Sequence, residues 1–360
     1  MKKENFQDQL IKRFYGIAGP LDEFRKKEAL RLGNVCFVLF FWGFNLVNLL
    51  ALALSKRFST IIAYGYPVLL LISALAINQY LFFRIGHKQL DSIDIEDLSP
   101  KEQKSLKGAS IKFALYFTVF MYAWNTIFSA WMDRTNPLEN LFNPQKFFAA
   151  SLGGIFIGIA LKIMLRKRIR KGEQLTINPA MSKEEPQWVQ KVIKRFYGIR
   201  GPLDEYRRSK ADEIGGLAFI YFFYFLLFAN TAAFFLAVRF PDKVASYYPI
   251  VIALFSFVQL CIVSIRSLNA DLPQYDLQEL SPKERRTHPL HPLRWGIVVT
   301  LLAILFSALS DLFNLNLPLL QSIFQIKSLF FGISMGIFTS LAISAVAYCQ
   351  KLEADSTKKR

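Results

Sequence analysis

Histidine and cysteine are scarce, at three residues each in a chain of 360. No two cysteines stand in a CxxC spacing, so neither a disulfide framework nor a cysteine-based zinc site is legible. Cys36, Cys261 and Cys349 fall within or at the ends of apolar runs, where a thiol acts as a small packing group. His87, His288 and His291 lie at polar segments that precede apolar runs, and the His288 to His291 stretch has no Cys or further His beside it to complete a metal site. A phosphate-binding loop is missing, which speaks against intrinsic ATP hydrolysis. No cluster of acids, histidines and nucleophiles at active-site spacing is present, so the chain is expected to be no enzyme and to need no cofactor or metal. A cleavable signal peptide is not visible, because polar and charged residues fill the segment before the first apolar run; that run is expected to be its own insertion signal.

Apolar residues, by contrast, make up 53% of the chain, and 35 of them are Phe. They gather into eight runs of about 20 residues, the length a helix needs to cross a hydrocarbon core of about 30 Å. The runs are Val35 to Leu54, Ile61 to Phe83, Phe113 to Met132, Phe147 to Leu165, Leu217 to Val238, Ala245 to Ile265, Gly296 to Leu315 and Leu329 to Cys349. A soluble fold would have to bury eight helices that are apolar all round. The expected fold is therefore an all-α integral membrane protein of about eight transmembrane helices.

Charge orients it. Of 44 Lys and Arg residues, 36 lie before the first run, between runs two and three, four and five, six and seven, or after the eighth; only 7 lie in the alternate loops, and Lys162 sits inside the fourth run. That asymmetry places both termini and the long segments in the cytoplasm. It also accounts for the formal charge of +17 through topology and anionic headgroups, so no nucleic-acid partner is expected.

The chain repeats itself. Ile11 to Arg25 reads IKRFYGIAGPLDEFR and Ile193 to Arg207 reads IKRFYGIRGPLDEYR, identical at 13 of 15 positions. The same offset of 182 pairs Asn48 with Asn230, Pro67 with Pro249, Arg84 with Arg266, and Leu98 to Glu102 with Leu280 to Glu284. It becomes 178 where Phe128 to Asp133 matches Phe306 to Asp311, and returns to 182 at Gly154 and Gly336; the length changes are expected in loops. Four spans per copy make the two copies parallel in the membrane. The expected organisation is a first repeat over residues 1–165, a basic linker 166–187, a second repeat 188–350 and a polar tail 351–360. The KRFYGIxGPLDE segment followed by apolar spans resembles a family of bacterial multi-pass membrane proteins of unknown function. That resemblance implies a bacterial cell membrane and carries no activity or catalytic residue with it.

Several duplicated features are candidates for function. The motif reads as two short helices joined by a turn at Gly16 and Gly19, with Asp22 and Glu23 at a helix start where the dipole favours anions. Phe6, Leu10 and Phe14 recur on one face, as expected of a helix in the headgroup layer, with Lys12, Arg13, Lys194 and Arg195 as candidate lipid or partner contacts. Ser99 to Glu102 and Ser281 to Glu284 read as capping boxes, and Asp91, Asp94, Glu96 and Asp97 as a solvated acidic loop lacking the pattern of a calcium site. Ala150, Gly154 and Gly158, matched by Gly332, Gly336 and Ser340, form small-residue stripes for close helix packing, read as equivalent faces that meet across the axis between copies. Asn48 and Asn230, deep within spans, and Asp133 and Asp311, near the outer ends of the third spans, are candidate pathway or interhelical polar groups. The leading expectation is a non-enzymatic membrane protein that holds anionic lipid, and a cytoplasmic partner or a second copy, through its basic segments. The alternative is a small-solute or ion transporter with a pathway between the copies.

Overall fold

The computed structural model describes residues 5–17, 19, 21–88, 90–93, 95, 98, 100–136, 142–173, 186–199, 203–273, 291–315, 319–337 and 339–341. All regular structure among them is helical: α1 Phe6–Tyr15, α2 Glu23–Leu54, α3 Ser59–His87, α4 Pro100–Asp133, α5 Pro144–Glu173, α6 Gln187–Phe196, α7 Glu205–Ala237, α8 Pro241–Asn269, α9 His291–Leu315 and α10 Leu319–Ile323, followed by an apolar helical stretch α11, Ile326–Leu341. Ser99, the Ser281 to Glu284 segment, Asp94, Glu96, Asp97, His288, Cys349, most of the linker and the polar tail lie outside the described residues.

Six helices are long and apolar enough to cross a membrane: α2, α3, α4 from Gln103, α5 to Arg170, α7 and α8. The runs expected as the seventh and eighth spans correspond to α9 and α11, whose apolar stretches, Gly296–Leu309 and Ile326–Leu341, are shorter. Large apolar side chains stand exposed along all six long helices, as they do where lipid rather than water is the solvent.

The duplicated motif folds the same way twice. Gly16 and Gly198 both sit at φ +66°, the left-handed region that glycine enters without steric cost. Each closes the preceding helix with the bond this geometry permits, Ile17 N–H to the Lys12 carbonyl at 2.9 Å and Ile199 N–H to the Lys194 carbonyl at 2.8 Å. Asp22 and Asp204 then cap the next helix, accepting from the backbone N–H of Arg25 at 2.6 Å and of Arg207 at 2.7 Å. The second part of the motif is no short helix, as the sequence led one to expect. It is the first turn of α2 or α7, which run unbroken for 32 and 33 residues because no proline follows within either. The face of α1 that is buried is Ile11 and Tyr15, continued by Ile17, while Phe6 is exposed; Ile193, Tyr197 and Ile199 repeat this around α6.

The chain divides into two compact units, residues 1–32 with 75–184 and residues 33–74 with 185–360. The boundaries cut through α2 and α3, so packing does not follow the copies. Within the second unit, the residues 33–74 of the first copy meet the second copy. Phe222 of α7 lies edge-on to Phe37, Phe40 and Phe44 of α2, with ring centroids 5.0 to 6.3 Å apart. Phe196 of α6 packs edge-on against Phe37 and Phe41. Proline is tolerated inside α3 and α8 at Pro67 and Pro249. Both lie on a buried stripe, Ala63, Tyr66, Leu70 and Ala74 in α3 and their equivalents Ala245, Tyr248, Ile252 and Ser256 in α8, so the carbonyl each proline leaves unbonded faces protein rather than hydrocarbon.

The third and fourth helices of each copy pack through their glycines. A Cβ on Gly154 would lie 1.9 Å from Thr118 Oγ1 and 2.9 Å from the Ala114 carbonyl oxygen; on Gly336 it would lie 1.8 Å from Thr300 Oγ1 and 2.6 Å from the Gly296 carbonyl oxygen. These neighbours are also related by 182, so that offset persists to Thr118 and Thr300. Farther along, Ser129 of α4 meets Lys146 and Ser307 of α9 meets Ser328 at 2.8 Å.

Candidate functional site

Two duplicated asparagines are almost fully buried, and each is held by a tyrosine of its own copy. Tyr66 Oη donates to Asn48 Oδ1 at 2.5 Å, and Tyr248 Oη donates to Asn230 Oδ1 at 2.5 Å. Tyr66 and Tyr248 share the 182 offset, and their rings approach each other to 5.6 Å. The four side chains are buried and form an Asn–Tyr–Tyr–Asn row between α2 and α3 of one copy and α7 and α8 of the other. An amide in a span must find an internal partner because hydrocarbon offers none. The phenols meet that need at Oδ1; the Asn230 amide nitrogen has no partner among the described residues. The sequence marked the asparagines and missed the tyrosines, although the repeat pairs Tyr66 with Tyr248 immediately beside the pair Pro67 and Pro249.

A second buried polar chain lies near the start of α2 and α7. Tyr197 Oη donates to Asn34 Oδ1 at 2.7 Å, Asn34 Nδ2 donates to Asp212 Oδ1 at 2.8 Å, and Arg208 Nε donates to Asp212 Oδ2 at 2.9 Å. Burial, followed by the Asp212 charge, pushes the Tyr197 phenol well above its ordinary value, against a smaller lowering by Arg208. Gly215 makes the junction possible, since a Cβ there would come within 2.0 Å of Asn34 Oδ1 and 2.2 Å of Tyr197 Oη. The repeat gives no sign of this cluster: the positions equivalent to Asp212 and Asn34 are Leu30 and Gly216.

Within the first unit an ionic set ties the ends of several helices together. Arg168, at the end of α5, pairs with Asp91 at 3.1 Å and donates to the Gly16 carbonyl at 3.1 Å. Glu28 of α2 binds Lys88 after α3 and lies 3.4 Å from Arg31. Lys26 reaches back to Asp8 of α1 at 2.7 Å. Asp91 is therefore a buried structural partner of Arg168 and no part of a solvated loop.

The remaining candidates separate. Asp133 is exposed at the end of α4, whereas Asp311 is buried and accepts from Lys327 Nζ at 2.9 Å. Arg13 and Arg195 are exposed, and Lys12 and Lys194 half-buried, on α1 and α6. Gly154 and Gly158 lie against α4, Gly332 and Gly336 against α9, and Ser340 against Gly296, so both stripes pack within their own copy; Ala150 is buried. Cys36 and Cys261 are free thiols.

No curated protein and no solved structure matches the chain significantly. A family model described as a protein of unknown function, DUF3278, matches residues 1–126 and again residues 181–308. Both matches begin ahead of the KRFYGIxGPLDE motif and run through the hairpin that supplies one Asn–Tyr pair. The chain thus belongs to the DUF3278 family and carries its domain twice, as a tandem duplication.

Proposed function

We propose that this is a non-enzymatic, eight-span protein of the bacterial cell membrane, with parallel copies and both termini in the cytoplasm, that holds anionic lipid and a cytoplasmic partner through its basic segments. The observation that carries the reading is the matched placement of Arg13 and Arg195, both exposed on helices that Ile11 with Tyr15, and Ile193 with Tyr197, anchor by burial. A helix anchored by its apolar face presents its cations outward at a fixed height, which suits a headgroup layer. The seventh and eighth spans are α9 and α11, each continued by residues beyond its described apolar stretch. The contacts of α2 with α7, start near start at Asn34 and Asp212, support parallel copies. The bonding of Asn48 and Asn230 to tyrosines favours a structural use over a solute pathway.

The test is binding of the purified protein to phosphatidylglycerol and to phosphatidylcholine in mixed micelles. Preference for the anionic lipid, weakened by salt and by up to about 1 kcal/mol for each of Lys12, Arg13, Lys194 and Arg195 reversed to Glu, is the expected result. Equal binding of the two lipids contradicts the reading.

A further inference from the structure

Among the described residues, a dense group of unpaired charge lies on the hairpin of α4 and α5. Lys104, Lys107 and Lys112 of α4 and Lys162, Arg166, Lys167 and Arg170 of α5 are all exposed. None of the seven forms an ion pair with a described residue, and no acid occurs in residues 103–132 or 145–172. Packing brings the two sets to one end of the hairpin. A Cβ on Gly158 would lie 3.4 Å from the Ser110 carbonyl oxygen, which places Ser110 and Gly158 at one level. At about 1.5 Å per residue, Lys107 lies about 5 Å and Lys104 about 9 Å to one side of that level, with Lys162 about 6 Å and Arg166 about 12 Å to the same side on α5. Lys112 sits just across it. Immediately toward the other end, the surface turns apolar: Ile111 is 67% exposed, Phe113 50% and Ile155 58%.

We infer that this face of the first copy is a binding site for anionic lipid headgroups, the principal one on the protein. The inference rests on the lipid-binding reading above and assigns it a place. A cluster of four to eight cations directly at the cytoplasmic end of apolar spans attracts anionic lipid by about 1 kcal/mol per charge near the surface. The apolar border fixes the class of ligand, because a cation ring contiguous with exposed Ile and Phe matches a phosphate head joined to acyl chains. Lys162, one turn below Ile159, is placed to extend its ammonium toward that phosphate layer while its stem stays against hydrocarbon. The cations of the duplicated motif make a weaker site, because the neighbouring cations at the starts of α2 and α7 are already paired. Lys26 is matched by Asp8 and Arg25 by Asp22 in the first copy, as Arg207 is by Asp204 in the second. In sequence the second copy lacks the α5 cluster: the offset of 182 pairs Lys162, Arg166, Lys167 and Arg170 with Ser344, Tyr348, Cys349 and Leu352. The site is single, despite the duplication.

The experiment compares phosphatidylglycerol binding to the full chain in neutral detergent for three forms. These are the unaltered protein, a hairpin variant (Lys107→Gln, Lys112→Gln, Lys162→Gln, Arg166→Gln) and a motif variant (Lys12→Gln, Arg13→Gln, Lys194→Gln, Arg195→Gln). The hairpin variant is expected to bind at least about tenfold more weakly and the motif variant to lose less. A photoreactive phosphatidylglycerol, cross-linked to the unaltered protein and mapped by peptide mass spectrometry, gives the site without any substitution; labels are expected within residues 104–112 and 162–170. Labels confined to α1 and α6, or a greater loss in the motif variant, overturn this site and leave lipid binding standing. No preference of the unaltered protein for phosphatidylglycerol over phosphatidylcholine overturns both.

Discussion

Two adjacent glycines should respond in opposite directions to the same substitution. Gly154→Ala introduces a methyl 1.9 Å from Thr118 Oγ1 and 2.9 Å from the Ala114 carbonyl oxygen, whereas at Gly153 the nearest atom, Phe117 Cε1, is 3.7 Å away. The Thr118 hydroxyl can rotate, but it already bonds the Ala114 carbonyl at 2.9 Å, and that carbonyl is helix backbone. The two helices must therefore part by several tenths of an ångström, with an overpacking cost of about 1–3 kcal/mol. Alanine regains up to about 1 kcal/mol of helix propensity at either position. The expected balance is a loss of about 1–2 kcal/mol for Gly154→Ala and a gain of up to about 1 kcal/mol for Gly153→Ala. In a Thr118→Ala background the Gly154→Ala penalty should shrink, because the closest atom is gone and only the carbonyl remains. Reversible unfolding in mixed micelles, followed by tryptophan fluorescence or circular dichroism, measures the unaltered protein and all four variants. A Gly154→Ala variant as stable as Gly153→Ala would refute the close contact and with it the packing of α4 on α5.

The Asn–Tyr row should behave as two structural bonds: Asn48→Leu, Asn230→Leu, Tyr66→Phe and Tyr248→Phe should each cost on the order of 0.6 kcal/mol and no more than about 2. A double-mutant cycle within either pair should show coupling, and absence of coupling in both cycles would contradict the observed bonds. Tyr197 predicts an alkaline limit. Its folded-state pKa is raised, so its contribution is complete below the ordinary tyrosine value of about 10 and is lost as pH rises beyond it, where the unfolded state ionises first. Tyr197→Phe should be less stable at neutral pH through the loss of the bond to Asn34, yet fall less steeply above pH 10; parallel pH profiles for the two proteins would remove Tyr197 as the cause.

What was legible in the sequence was mostly what repeats or what is long. Apolar runs marked the six helices that meet the length for a span, because hydrocarbon admits little else. The identical motif marked the cap at Gly16 and Gly198 and the helix start at Asp22 and Asp204, since left-handed backbone and N-cap bonding are local. Helix continuity through that start was missed: Gly19 and Pro20 looked like a boundary between short helices, and nothing after Asp22 signals a stop. Tyr66 and Tyr248 were invisible for another reason. A tyrosine in an apolar run counts as apolar until its hydroxyl is seen to face an amide 18 residues earlier. Asn34, Asp212 and Gly215 come from two copies at positions the repeat does not equate, so duplication concealed their meeting.

Parallel insertion of the two copies is the central claim, and external labelling of paired single cysteines tests it. Arg57 and Arg239 are equivalent through the 182 offset, and each lies between the two long helices of its copy's first hairpin. In a background with Cys36, Cys261 and Cys349 replaced, an impermeant maleimide applied to intact cells should modify cysteine at position 57 and at position 239, and should leave cysteine at Gln174, in the linker, unmodified until the membrane is opened. Modification of one loop position without the other would contradict parallel copies, and modification at Gln174 in intact cells would contradict the cytoplasmic linker.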